Sequence, residues 1–552
     1  MMGSATILWF CFVQTINAIN VDWSSSDSIK AGARTAADGM MSYYTGNLSG
    51  QIPGLLPGPY YWWEAGGMWG ALVDYYHYTG DTTYNDVTMQ ALQFQVGPHN
   101  DYMPPNETAS LGNDDQAFWA IAALRAAETN FPNPPPGSPS WLSLAQATFN
   151  EQVGRWDTQF CNGGIRWQIY PQNTGYDLKN SISNGCLFNI AARLARYTGD
   201  DMYAQWAVKI WDWMWRIGLI DENYNVFDNS EADRLNCTQI DGHQWVYNAG
   251  TMLMGASTMY NYTNGSSLWQ TRTAGLLSTL AFDFFPGGVM KDICEEYNAC
   301  NVDEHSFKAY LSRWMAASTQ MAPFTYNTSY PLLVSSAKAA AAQCTGSPTG
   351  SVCGLKWYLN GTWDGSNGVG QQMAALEVML GTLVQQTKPP VTNTTGGTSA
   401  GNPTAGYNAS NIPPGEQIEP ANKGDKAGAW FLTAVMIIAA IWCWTFMSTN
   451  VLEGVGAKPT VGGRRARASR VWNEKGVVLT KGMGIGGGFW KGKGRADVPD
   501  LGENGVGVET ISVVPRAKHA SLPPLQSVEE DPKNVPGDRR SIPIYRGGDL
   551  PT

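Results

Sequence analysis

The sequence predicts an all-α ectodomain, an (α/α)6 barrel, followed by a disordered stalk, one transmembrane helix and a disordered tail. Three observations carry that prediction. Between roughly Val21 and Leu383, apolar residues recur at i, i+3, i+4 and i+7 in segment after segment, without long alternating strand patterns. Two kinds of helical segment alternate there, one apolar on nearly every face and one amphipathic. The apolar kind returns at intervals of roughly 50 to 70 residues, the pitch of a helical-hairpin repeat.

The apolar segments are rich in Ala, Gly and aromatics. They read EAGGMWGALVDYYHYTGD from Glu64, DDQAFWAIAALRAAE from Asp114 and SNGCLFNIAARLARYTGD from Ser183. The series continues with HQWVYNAGTMLMGASTMYNYTNG from His243, FKAYLSRWM from Phe307 and QQMAALEVML from Gln371. A helix apolar all round belongs inside. The segments from Tyr203 to Gly218 and from Ser267 to Phe284 have ordinary polar faces and belong outside. The exits also repeat, as Tyr78-Thr79-Gly80-Asp81, Tyr197-Thr198-Gly199-Asp200 and Tyr262-Thr263-Asn264-Gly265. A Gly or Asn there can take the left-handed conformation that ends a helix. A closed ring of six hairpins accommodates all of this. The alternative is an open α-solenoid, which exposes a concave face instead of a closed core.

The flanks divide the chain further. Residues 1–18 read as a signal peptide, because Ala5 to Ile16 is apolar, too short to span a bilayer and followed by Asn17-Ala18. The barrel is expected over 19–387. Residues 388–427 are rich in Thr, Gly, Pro and Asn and are expected to form a stalk without a core. Residues 428–447 form an uncharged run long enough to cross a hydrocarbon layer of roughly 30 Å, with Trp430, Trp442 and Trp444 near its ends. Residues 448–552 are expected to be a disordered cytoplasmic tail. That tail holds a GxGxxG match, Gly482 to Gly487, outside any strand-turn-helix context, and it carries no weight as a nucleotide site.

Two signals orient the span. Lys458, Arg464, Arg465, Arg467 and Arg470 follow it, which places that side in the cytoplasm. The Asn-x-Ser/Thr acceptors Asn47, Asn106, Asn236, Asn261, Asn264, Asn327, Asn360, Asn393 and Asn408 all precede it. The expected location is therefore the plasma membrane or endomembrane, with the large domain extracellular or lumenal. Cysteine usage agrees with an oxidising compartment. The short loops Cys294–Cys300 and Cys344–Cys353 are natural bridges, and Cys161–Cys237 is the third pairing expected, leaving Cys186 free. The net charge of −10 argues against a nucleic-acid surface. The His residues do not pair at ligand spacing, so neither metal nor cofactor is expected.

In such a barrel the starts of the inner helices converge on one end. Capping accounts for a polar residue at any one start. Six starts rich in amides, acids and aromatics point to a shared site. The expected sugar-binding residues are Trp62, Trp63, Glu64, Asn113, Asn184, Gln244, Trp245, Asn248, Phe307, Lys308, Gln371 and Gln372. Asp114 and Asp115 stand apart from these. Adjacent acids at a helix start can hold their carboxyls about 5–5.5 Å apart, the separation of a retaining glycosidase. One then attacks the anomeric carbon while the other protonates the leaving oxygen. Their mutual repulsion keeps one of them protonated.

The run LGNDDQAFW from Leu111, SNG at Ser183, YNAG at Tyr247, FKAYLSRW from Phe307 and GVGQQM at Gly368 together resemble glycoside hydrolase family 76, in its fungal cell-wall branch. The resemblance covers nearly the whole ectodomain. It implies an (α/α)6 barrel and an endo-α-1,6-mannanase chemistry, with Asp114 as nucleophile and Asp115 as acid/base. It also implies action on α-mannose glycans, including the GPI-anchor mannose core, and transfer of glycoproteins onto wall β-glucan. Fungal members usually end in a GPI signal. Here a long polar tail follows Met447, so a retained span is expected. A non-catalytic mannose-glycan-binding wall protein on the same barrel is the competing reading. The Asp114-Asp115 pair favours the enzyme, since a lectin gains nothing from two repelling acids.

Overall fold

The computed structural model describes residues 19–359, 361–407 and 423–453. The signal segment, the sequons at Asn360 and Asn408 and the tail lie outside the described residues. In chain order the helices begin with α1 (Ser26–Met41), α2 (Trp62–Thr79), α3 (Asn85–Phe94), α4 (Asn113–Glu128) and α5 (Trp141–Gly154). After them come α6 (Ser181–Thr198), α7 (Asp201–Ile217), α8 (Val246–Tyr262), α9 (Ser267–Phe284) and the single turn α10 (Ile293–Glu296). The chain continues through α11 (Phe307–Met321), α12 (Tyr326–Gln343), α13 (Val369–Gly381) and α14 (Lys423–Glu453).

Helices α2, α4, α6, α8, α11 and α13 each pack on the next, and α13 packs back on α2, so the ring closes and the open solenoid is excluded. Helices α3, α5, α7, α9, α12 and α1 cover them from outside. The residue patterns explain the two layers. In α13 every residue from Val369 to Gly381 is buried, whereas α7 buries one stripe that includes Tyr203, Ala207, Ile210 and Met214. Small residues let the inner helices approach closely. A Cβ on Gly250 of α8 would lie 3.2 Å from the Leu311 backbone of α11. Helices α2 and α6 end on left-handed Gly80 and Gly199, each N–H bonding back to the carbonyl four residues earlier. That is the exit read from the sequence.

Below the site, buried ion pairs join the inner helices. Asp74 of α2 meets Arg125 of α4 at 2.5 Å and Arg313 of α11 at 2.8 Å. Arg313 also meets Glu377 of α13 at 2.6 Å, and Arg193 of α6 meets Glu128 of α4 at 2.7 Å. The strands are short. The antiparallel set β1 (Leu178–Asn180), β2 (Asn229–Glu231) and β3 (Ile240–Asp241) borders the site, and β4 (Cys344–Gly346) pairs with β5 (Val352–Cys353). Disulfides join Cys161–Cys237, Cys294–Cys300 and Cys344–Cys353, and Cys186 is a buried free thiol.

One boundary needs correcting. The stalk was expected from residue 388, yet the chain stays packed on the barrel through Tyr407. Val391 N–H donates to Glu128 O at 2.7 Å, Asn393 N–H to Tyr197 O, and Asn150 Nδ2 to the carbonyls of Pro403 and Ala405. Ser399 is buried and its hydroxyl accepts from Leu142 N–H. This strap lacks apolar periodicity because polar side chains of the barrel hold it by its backbone. Helix α14 contains one stretch, Gly428–Thr445, long and apolar enough to cross a membrane.

Candidate active site

Helix α4 starts at the mouth of the ring. Its N-cap is Gly112, whose N–H donates to Asp115 Oδ2 at 2.7 Å. A Cβ at Gly112 would strike Asp114 Oδ1 and press on Asp115 Oδ2, so only glycine lets both carboxyls fold back over the helix start. The chain before the helix is fixed by Asn113 N–H donating to Trp167 O at 2.8 Å. Asn113 Nδ2 also donates to Arg166 O, and its Oδ1 accepts from Arg155.

The carboxyl pair lies in a cleft of two lobes. The larger, about 410 Å³, is walled by Tyr61, Trp62, Trp63, Trp167 and Gln168 and includes Glu107, Asp115 and Asp303. The smaller, about 220 Å³, holds Asp114, Asp115, Asp228, Asp303 and Glu304 among Trp63, Phe118, Trp245, Tyr247 and Phe307. Trp63, Asp115, Trp167 and Asp303 line both and form the waist between them. No Lys, Arg or His appears among the described residues lining either lobe. Flat aromatic faces beside hydrogen-bonding carboxylates suit sugar rings and their hydroxyls.

The electrostatics follow from burial without counter-charge. Burial, and then the charge of Asp115, hold Asp114 well above the usual carboxylate range. Nearby backbone N–H groups and the Trp167 indole pull weakly the other way, while its buried Oδ1 has no hydrogen-bond partner among the described residues. Burial, aided by the charges of Asp303 and Glu107, pushes Asp115 to about 7 against the single Gly112 N–H. The pair therefore shares one proton near neutrality. Asp303 is pushed to about 6 by burial, opposed by the Trp63 Nε1–H bond of 2.9 Å to its Oδ1. Asp228, also raised by burial, accepts from Asn248 Nδ2 at 3.2 Å and Asn229 Nδ2 at 3.0 Å.

The expected site residues separate into two groups. Trp62, Trp63, Trp245 and Phe307 line the cleft with Asp114 and Asp115. Glu64, Asn113, Asn184, Asn248, Lys308, Gln371 and Gln372 are buried and line neither lobe. Lys308 is fully enclosed, paired with Glu295 at 3.0 Å. Asn184 holds Ile165 by both its N–H and its C=O. Asn248 orients Asp228 from behind, and Gln371 Nε2 lies 3.2 Å from His305 Nδ1. Gln244 is half-buried and lies outside both lobes. The sequence reading missed Trp167, Asp228, Tyr247, Asp303 and Glu304. Trp167, Asp228 and Asp303 sit in loops and Glu304 in a single 3-10 turn, where helical periodicity gives no signal; Tyr247 lies in the YNAG run already singled out. Among the described residues one group clusters as for a metal, Cys294, Cys300 and Glu304, but both sulfurs are joined in a disulfide.

The family model described as glycosyl hydrolase family 76 matches residues 28–394. The chain belongs to glycosyl hydrolase family 76. Mannan endo-1,6-alpha-mannosidase DCW1 of Saccharomyces cerevisiae is 46% identical over 431 residues, 77% of this chain and 94% of its own length. A putative mannan endo-1,6-alpha-mannosidase of Schizosaccharomyces pombe is 47% identical over 404 residues, 73% of this chain and 90% of its own length. The crystal structure of Dfg5 from Chaetomium thermophilum in complex with glucosamine is similar at 47% identity and a TM-score of 0.68, covering 71% of this chain and 98% of that one. The family 76 match ends inside the strap, which agrees with the strap being part of the folded domain.

Proposed function

We propose that this family 76 protein is a retaining endo-α-1,6-mannosidase or transglycosidase acting on mannan or the GPI-anchor mannose core in fungal wall assembly. The observation that carries the reading is the buried Asp114-Asp115 pair at the waist of an aromatic, carboxylate-lined cleft. The names of its relatives support the α-1,6-mannan substrate class. Asp114 lines only the small lobe, so the mannose that it attacks sits there. Asp115 reaches both lobes, so it can protonate the glycosidic oxygen as the leaving sugar departs into the large lobe. The mannosyl ester on Asp114 is then attacked by water or by a sugar hydroxyl entering the large lobe. Asp115, now a carboxylate, takes that proton. The domain faces the wall and is held by α14 as a single span.

The test is incubation with labelled GPI-core oligomannose, with and without a β-glucan acceptor, read by mass spectrometry. Cleaved or transferred mannosides of retained configuration are expected. Binding with no product at any acceptor concentration would favour the non-catalytic glycan-binding protein.

A further inference from the structure

Asp303 has no counterpart in the paired-aspartate reading. It lies in the turn before α11, far in sequence from Asp115, and lines both lobes with it. Its carboxylate is held by the indole of Trp63, which is wedged against Phe118, Tyr310 and Phe307. The next residue, Glu304, is tied back by Asn301 N–H and Nδ2 at 2.8 and 3.1 Å. The turn is therefore fixed, and so is the place of the Asp303 charge.

We propose that Asp303 is a positioning residue whose negative charge, set by Trp63 at the waist of the cleft, keeps the catalytic proton on Asp115. The proposal rests on Asp115 being the acid/base. The groups facing Asp115 are Asp114 on its own helix, Glu107 from the preceding turn, Asp303 from the turn before α11, and Asp228 and Glu304 in the small lobe. All are acids, and no cation in the described lining competes with them. Asp303 and Glu107 act on Asp115 directly, in that order. Asp303 shares with Asp115 the space that the scissile bond must cross.

The charge of Asp303 is itself conditional. Its carboxyl titrates at about 6, below the value of about 7 at Asp115. Between about pH 6 and 7 the charge is present while Asp115 still holds its proton. Below pH 6 Asp303 is neutral, and asparagine then imitates it in shape and charge. Beneath the turn, Glu64 is fully buried, and burial together with Asp303 holds its carboxyl well above the usual range. A neutral Glu64 adds no second negative charge beside Asp303.

The experiment compares kcat/KM against pH for the wild type, Asp303→Asn and Asp303→Glu, using the full-length protein in detergent and an aryl α-mannoside. In Asp303→Asn the alkaline limb should move down by roughly half a pH unit or more. Its rate should rejoin the wild type below about pH 6, where both carry a neutral side chain. Asp303→Glu should restore the limb. A uniform loss at all pH values with an unmoved limb would overturn the proposal, since that is the mark of a structural role. Asp115→Asn assayed with mannosyl fluoride separates the two readings. If the alkaline limb persists there, the assignment of Asp115 has failed. If it vanishes there but stays in place in Asp303→Asn, only the role of Asp303 has failed.

Discussion

Two adjacent aspartates with different surroundings should fail in different ways. Asp114 lines the small lobe and not the large one, so it is the group placed to attack a sugar held there. Asp114→Asn should abolish turnover even of activated mannosides, because no glycosyl ester can form. Asp115→Asn should lose most with poor leaving groups and least with a fluoride or nitrophenyl α-mannoside. Azide should then replace the missing base and give a mannosyl azide of retained configuration. Full activity in Asp114→Asn, or equal losses across leaving groups in both variants, would show that these roles are wrong. The pair was legible in the sequence because two acids at a helix start form a local pattern. Asp228, Asp303 and Trp167 were not, because loops of unrelated sequence bring them to the pair. Glu64 and Lys308 misled for the opposite reason. Both lie at inner helix starts, but their side chains turn under the cleft floor.

At the scale of elements, the six hairpins were readable because a helix buried on all sides has a distinctive composition. Their register was not, because ion pairs among buried helices leave no periodic trace. Arg313 joins three inner helices, bonding Asp74 of α2 and Glu377 of α13 from its place on α11. Replacing it with Met leaves buried acids facing one another. Arg313→Met should lower stability by ~3–5 kcal/mol. Arg34→Met, which breaks the surface pairs to Asp38 and Asp81, should cost less, about 1 kcal/mol. Urea midpoints at constant slope measure both. Similar small losses would mean that the network is well hydrated or replaceable. The strap shows the same limit of composition. Thr, Gly, Pro and Asn suggested a free stalk, but Asn130, Gln146 and Asn150 on the barrel supply amide groups that bind its backbone.

For the whole molecule, access to glycans depends on which side of a membrane each part occupies. Among the described sequons, Asn47, Asn106, Asn236, Asn261, Asn264, Asn327 and Asn393 are exposed, so each is open to a glycosyltransferase. The disulfides belong to the same oxidising side. Past Glu453 the sequence turns basic, with Arg464, Arg465, Arg467 and Arg470 close together, and no further sequon occurs. On the proposed topology, the stretch Gly428–Thr445 spans the membrane with the basic cluster on the cytoplasmic side. Protease added to intact cells should therefore spare an epitope placed after Arg470 and remove one placed in the barrel. A glycosidase specific for N-linked chains should shift the mobility of the barrel fragment alone. Release of the intact barrel by a GPI-specific phospholipase would contradict this topology. So would digestion of the C-terminal epitope in sealed cells, because that requires the tail to lie outside the cell.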